Sequence, residues 1–496
     1  MRWRAEPAIA PVRFHGRHLD APYAHCRSRR PGRYQRRFRN RAEPELDQIR
    51  KDIEGLRSSY EARIKALEDQ LRQAEASATK AQVSAAQAEV SAAKAETVAP
   101  RSDTAAVQSE SPAASQNAFN PAISLILNGT WGRFGNDPTT QITGFAPAGG
   151  EVSPGRGASL GESELFLSSS IDPYFRGSLL VALTPDNTVA VEEAYAETLA
   201  LGRGFTVKAG RFFSGLGYLN QVHAHAWDFV DAALVQRAFL GNNYGDDGVQ
   251  LRWIAPLPVL LQFGAEIGRG REFPGVGDVG RNRNGAESRA FFVKLGGDIG
   301  TSGSYQVGAS HLQQRSGQNR VAFLDYDDLS GVNNRFAGRQ SIDGVNMVYK
   351  WAPDGNPQYR NFKFAAEWYQ RKYDGDLTFD AAGLAATDAL AARQSGWYAQ
   401  AIYQFMPYWR VGGRYDQLSH GTVALNANAA RLAPPAFDPK RYSLMVDWNP
   451  SEFSRIRLQY SRDLTRQNIA TGETIGDNQL FLQYIFSLGA HGAHQF

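Results

Sequence analysis

Residues 122–134 read Ala-Ile-Ser-Leu-Ile-Leu-Asn-Gly-Thr-Trp-Gly-Arg-Phe, and their alternation decides the fold. Successive side chains of an extended chain point to opposite faces, so Ile123, Leu125, Leu127 and Trp131 share one side and Ser124, Asn128 and Thr130 the other. The same period of two recurs over 161–171, 174–184, 188–200, 204–213, 247–255, 258–269, 287–298, 303–314, 341–351, 360–373, 395–405, 408–418, 440–449, 454–464 and 478–488, which predicts sixteen strands.

The connections sharpen this reading. After even strands the turns are short, as at Asp172-Pro173, Gly202-Arg203-Gly204, Ala255-Pro256-Leu257-Pro258 and Asn449-Pro450, whereas after odd strands they are mostly long. Short turns alternating with long loops predict an all-β transmembrane barrel of about 16 antiparallel strands in a bacterial outer membrane, with both chain ends in the periplasm. A soluble sandwich or propeller would bury one face of each strand, and would not leave Phe263, Phe291, Trp397, Tyr403, Trp409 and Trp448 as an outward band. Composition agrees, with 48 Gly, 20 Tyr, 27 Phe and 9 Trp in 496 residues. No run of about 18 apolar residues occurs, so spanning helices are not expected.

Upstream of the barrel, read as residues 119–496, the period changes. Leu46, Ile49, Ile53, Leu56, Tyr60, Ile64, Leu67, Leu71, Ala74, Ala78, Ala81, Ala85 and Ala88 follow in steps of three and four, the seam of an α-helical coiled coil over 42–96. Two consecutive steps of four around Tyr60 form a stutter. Glu61 with Lys65 and Glu68 with Arg72 add supporting pairs four residues apart. A single amphipathic helix docked elsewhere is the alternative; the Ala-rich half would then bury little area per turn. Residues 97–118, with Pro100 and Pro112 among Ser and Ala, read as a flexible linker. This layout puts the coiled coil in the periplasm, where peptidoglycan or a periplasmic protein would be its partner.

Residues 1–41 fit none of this. They carry twelve Arg against Glu6 and Asp20, and lack the apolar core of a secretory signal. Pro7, Pro11, Pro22 and Pro31 break the helix a transit peptide would need. The expectation is an incorrect gene start, with the mature chain beginning near Ala42-Glu43-Pro44. Cys26 lies in this head, so no disulfide or thiolate metal site is expected beyond it. The formal net charge of +4 is carried by the head, and no basic stripe with stacking aromatics predicts nucleic-acid binding.

If the apolar set faces lipid, the opposite set lines the lumen: Glu162, Glu164, Arg176, Lys208, Arg252, Glu266, Lys294, Asp298, Lys363, Glu367, Arg371, Arg410, Arg414, Asp416, Arg455, Arg457 and Asp463. Such charges are expected to stay solvated in a water-filled channel. Arg410, Arg414, Arg455 and Arg457 against Asp416 and Asp463 form either an anion-attracting wall or a ladder of stabilising pairs. The third long-side loop, 214–246, contains His223, His225, Asp228 and Asp231. Its two imidazoles beside carboxylates suit a divalent transition metal, although most such pairs are only polar surface. His491 and His494 offer a weaker version. No cofactor is predicted. Phe496 shares parity with Leu480, Leu482, Tyr484, Phe486 and Leu488, the terminal aromatic that resembles the signal of the bacterial barrel-assembly machinery.

Lys208-Ala-Gly-Arg-Phe-Phe-Ser-Gly-Leu-Gly217, preceded by Val191-Glu-Glu-Ala-Tyr-Ala196, resembles the central strands of the phosphate-selective porin O/P-like family. The coiled-coil-then-barrel layout is similar to that of sugar porins with periplasmic extensions. The resemblance implies a passive, homotrimeric anion channel and, for 214–246, a constriction loop folded inward. The chain departs from phosphate-selective members in lacking a dense Lys and Arg ladder. A diffusion porin for small hydrophilic solutes or ions is therefore the leading expectation. An outer-membrane receptor or metal-uptake barrel, and a structural tether through the coiled coil, are the alternatives. Some 378 residues after position 118 are too few for a plugged 22-strand receptor. A barrel enzyme is not expected, as no Gly-x-Ser-x-Gly motif is present.

Overall fold

The computed structural model describes residues 121–489 except 140, 146–154, 185–187, 271–285, 317–331, 333 and 433, together with Lys51 and Lys65, both helical and exposed. The chain divides into two units, Met1–Glu110 and Ser111–Phe496. The head, the linker, most of the coiled coil, His491, His494 and Phe496 lie outside the described residues.

Seventeen strands form one closed antiparallel sheet of sixteen staves: β1 (Ala122–Phe134), β2 (Gly157–Leu160), β3 (Ser163–Ser170), β4 (Phe175–Leu183), β5 (Val189–Thr198), β6 (Phe205–Phe213), β7 (Gly245–Ile254), β8 (Leu260–Gly268), β9 (Ser288–Ile299), β10 (Gly303–Ser316), β11 (Arg335–Trp351), β12 (Asn361–Phe379), β13 (Ala386–Met406), β14 (Trp409–Ala424), β15 (Lys440–Ser451), β16 (Ser454–Gln467) and β17 (Thr474–Gly489). From β3 onward each strand pairs with the next in sequence, β2 and β3 both pair with β1, and β1 closes the ring against β17, for example Leu127 opposite Phe486. Closure leaves no open edge, the condition for crossing lipid with strands.

The second predicted strand, 161–171, corresponds to β3, and its stave carries a further piece, β2, that the alternation did not predict; both pair with β1. Gly161 between them lets Asn128 pack where a Cβ would sit 2.5 Å from its Nδ2.

Burial follows the alternation. Phe263, Phe291, Trp368, Trp397, Leu458, Leu482 and Tyr484 are exposed on the outside, while their neighbours Ala290, Glu367, Tyr398, Arg457 and Gln483 are buried inside. At the short-turn rim, rings line up across strands: Trp253 stacks on Phe205 at 6.1 Å and on Phe263 at 5.8 Å, and Trp409 on Trp448 at 6.1 Å. An apolar belt bounded by aromatics is what a hydrocarbon layer with polar interfaces selects.

The strands β11–β14 run longer than the alternation predicted. β13 has 21 residues, whereas about 9–11 tilted residues cross a bilayer. Their far ends enclose a second small core of Phe336, Tyr373, Leu377, Leu390, Leu425 and Leu432, which gives the projecting wall its own apolar support.

Candidate functional site

The segment 214–244, between β6 and β7, enters the barrel and crosses it. Its sequence supplies the means: Gly215 and Gly217 allow a sharp departure from β6, and Leu234–Leu240 forms α1, which ends at Gly241 in the left-handed region with φ 66°. A Cβ at Gly217 would lie 1.9 Å from the Tyr369 hydroxyl and 2.1 Å from Glu367 Oε2, so only glycine brings the backbone this close. Asn220 ties the two ends of the segment, donating to Ser214 O and Tyr244 O and accepting from Tyr244 N at 2.6 Å.

One side of α1 packs on the inner faces of β12–β14. Leu234, Val235, Phe239 and Leu240 share one buried cluster with Tyr369, Tyr398 and Leu418. Beneath it stands Glu367, whose two oxygens accept from Tyr218 N and Leu219 N at 2.9 Å, Tyr369 Oη at 2.7 Å, Tyr398 Oη at 2.8 Å and Gln236 Nε2 at 3.3 Å. Glu266 does similar work at the root, accepting from Ser214 Oγ and Gly215 N. Lys294 donates to Gln221 in the segment.

The basic wall grips the middle of the crossing. Asp228 pairs with Lys363 at 2.5 Å and Arg410 at 3.5 Å; Asp231 pairs with Arg414 at 2.9 Å and Arg441 at 2.6 Å. Four guanidiniums also donate to carbonyls of the segment: Arg457 to Trp227, Arg414 to Asp231, Arg441 to Ala232 and Arg371 to Ala238, all at 2.8–2.9 Å. Behind them Asp447 holds Arg410 and Arg457, and Asp416 holds Arg414. Burial raises the Asp231 carboxyl, but Arg441 and Arg414 outweigh it and bring its pKa down to about 2. Asp228 is lowered in the same way, with Lys363 and Arg410 opposing the effect of burial.

The opposite wall is acidic. Glu164 on β3 and Glu192 and Glu193 on β5 surround His223, and His225 Nδ1 lies 2.7 Å from Glu164 Oε1. Adjacent residues of a strand normally face apart. Here Leu180 opposes Glu193 and Val181 opposes Val191, so Glu192 is the extra residue of a β-bulge and both carboxylates turn towards the same imidazole. Burial disfavours the His223 imidazolium, yet the carboxylates of Glu192, Glu193 and Glu164 hold its pKa well above the usual value.

The predicted residues are thus divided among these contacts. Arg410, Arg414, Arg457, Lys363 and Arg371 meet the crossing segment, and Arg455 touches it through Trp227 O at 3.3 Å. Lys208 lies over the Tyr195 ring, and Arg252 pairs with Glu197. The expectation that inner charges stay solvated is corrected: Arg371, Arg414 and Arg457 are fully or nearly buried, because the loop lies on them and supplies the carboxylates and carbonyls that replace water. His223 and His225 do not extend along a strand. A 3-10 turn at Ala224–Ala226 stacks their rings at 5.9 Å, and of the two it is His223 that clusters with Glu164 and Glu192. The reading missed Arg441 and Asp447, although both share the parity of the lumen-facing set on β15.

A closed sixteen-stave barrel with an apolar outer belt and an inward third loop defines an outer-membrane β-barrel of porin-like architecture. No family model matches the sequence. The chain belongs to the family of an uncharacterised protein of Aquifex aeolicus, with which it shares 33% identity over 400 residues, 77% of this chain and 81% of the relative. Among solved structures it is similar to the outer-membrane channel DcaP of Acinetobacter baumannii (14% identity, 74% of this chain and 97% of that one, TM-score 0.44). It is also similar to the anion-selective porin of Comamonas acidovorans (10%, 74% and 99%, 0.44) and to OprB of Pseudomonas putida (12%, 74% and 94%, 0.41).

Proposed function

We propose that the protein is a passive outer-membrane channel for small hydrophilic solutes or ions, narrowed by the segment 214–244. The observation that carries this is the crossing itself: side chains of one long loop are anchored on both walls, so the loop restricts a lumen whose inner face is otherwise polar. Single-channel recording of the purified chain in planar bilayers tests it. Stepwise conductance is expected; an intact barrel with no conductance under any applied voltage would sink the proposal.

An anion preference is the finer reading. Around the basic wall Arg237, Lys363, Arg410, Arg414, Arg441, Arg455 and Arg457 face Asp228, Asp231, Asp416, Asp447 and Asp463, so cations exceed carboxylates by two. Arg455 is the most accessible arginine among those paired to Asp228, Asp231 or Asp447, at 25% exposure, and a charge in a narrow aqueous passage concentrates counter-ions. Arg455→Glu is expected to move the reversal potential under a salt gradient towards cations. An unchanged reversal potential would remove Arg455 from the selectivity mechanism. The phosphate-selective assignment rests on the resemblance around Lys208–Gly217, and competition of phosphate with chloride current in the same bilayers tests it.

A further inference from the structure

We propose that His223, Glu164 and Glu192 form a binding site for one first-row divalent transition metal, of the zinc or cobalt class, which joins the crossing segment to β3 and β5. The three ligand atoms, His223 Nδ1, Glu164 Oε2 and Glu192 Oε2, all lie within 4.8 Å of one another. His223 Nδ1 is 3.5 Å from Glu192 Oε2 and 4.0 Å from Glu164 Oε2. Ligands about 2.0–2.2 Å from a tetrahedral ion are separated by about 3.4 Å, so a small contraction completes this face of a coordination shell. His223 Nδ1 and Glu192 Oε2 are buried and neither meets hydrogen-bond geometry with another protein atom. With Glu193 on the far nitrogen, three carboxylates surround one imidazole, a concentration of negative charge that a divalent cation between Nδ1 and the two Oε2 atoms would neutralise.

The surroundings have the form of an outer shell. Glu193 Oε2 is 3.3 Å from His223 Nε2 while its Oε1 accepts from Phe213 N, which fixes the ring and leaves Nδ1 as the ligand atom. His225 holds the other oxygen of Glu164, which orients that carboxylate. The bulge at Glu192 serves this geometry, because a regular strand would turn Glu192 away from Glu193. His223 retains 16% exposure and Glu192 18%, enough for entry from the lumen. One imidazole and two carboxylates is an N,O donor set that suits first-row divalent ions over soft ones. The site stands on these contacts and not on the channel reading.

The test is Co2+ binding to the full chain after chelator treatment, followed by dialysis and by absorption of the bound ion, with Zn2+ as competitor. One Co2+ per chain, displaced by Zn2+, is expected. Glu192→Gln, which keeps side-chain size, and His223→Asn are expected to abolish it, and Glu193→Gln to weaken it about 10–100-fold. A variant with His491→Ala and His494→Ala, and another with His311→Ala, are expected to bind as wild type. Circular dichroism confirms that each variant keeps the barrel. Absence of saturable binding in the wild type overturns the proposal, as does binding that survives Glu192→Gln and His223→Asn or is lost with the terminal histidines.

Discussion

Replacing Asp231 with alanine is expected to release the middle of the crossing segment, raising single-channel conductance several-fold and exposing residues near 227–233 to protease while the barrel stays folded. Asp231 is the carboxylate of the loop that meets two buried guanidiniums at once, Arg414 and Arg441, and it accepts from Gln459 as well. Removing one partner of a buried pair costs about 3–5 kcal/mol, because the remaining charge stays desolvated. The low end, about 3 kcal/mol, is expected by the same rule. Arg414 keeps Asp416 at 2.9 Å and the Phe229 ring at 4.6 Å, and Arg441 keeps Ala232 O.

The same carboxylate gives a pH signature. Its folded pKa of about 2 lies below the ordinary 3.8, so the folded state binds fewer protons than the released one in that window. The stabilisation is therefore complete above the ordinary value and is lost as pH falls through about 2. Asp228, also lowered, contributes with the same sign. Wild-type conductance is expected to be steady at about pH 4 and to rise towards about pH 2, and an Asp228→Asn, Asp231→Asn double variant to show no such step. A wild-type channel that is flat across this range, or an Asp231→Ala channel of unchanged conductance, would show that these pairs do not hold the loop.

The staves of the barrel were legible in the sequence because each depends on a local rule. The predicted first strand coincides with β1, and the short turns fall where Pro and Gly interrupt the alternation. The anchors of the loop were not legible, since they join residues such as Leu219 and Glu367, 148 positions apart, and no local period encodes which inner side chain meets which part of a loop. Arg441 and Asp447 were within reach, as parity alone places them inside. The bulge left a weaker trace: two adjacent glutamates in a strand, one of which must face the wrong way unless the ladder slips. The projecting ends of β12 and β13 escaped because Asp374-Gly-Asp376 and Ala386-Thr-Asp388 lack the apolar half of the pattern; outside the lipid there is nothing to require it.

Glu367→Gln should disrupt the channel almost as much as Glu367→Ala, and this near-equality is the sharper prediction. All five groups around Glu367 donate: two backbone N–H groups of the loop, two tyrosine hydroxyls and the Gln236 amide. A carboxylate accepts on both oxygens, whereas an amide presents an NH2 on one side; a tyrosine hydroxyl can turn to accept from it, but each side also holds a backbone N–H of the loop, and there donor meets donor. Each buried group left unpaired costs about 1–3 kcal/mol, and Tyr369 and Tyr398 have no water to turn to, both being fully buried. With Tyr218 N and Leu219 N set free, the start of the crossing loses its hold on β12, and α1 loses the contact that seats Gln236. Both variants are expected to show larger, noisier conductance and a lower unfolding temperature than wild type. Gln behaving as wild type while Ala does not would mean that the shape of residue 367, and not its acceptor capacity, positions the loop; wild-type behaviour of both would transfer the anchoring to the arginine wall alone.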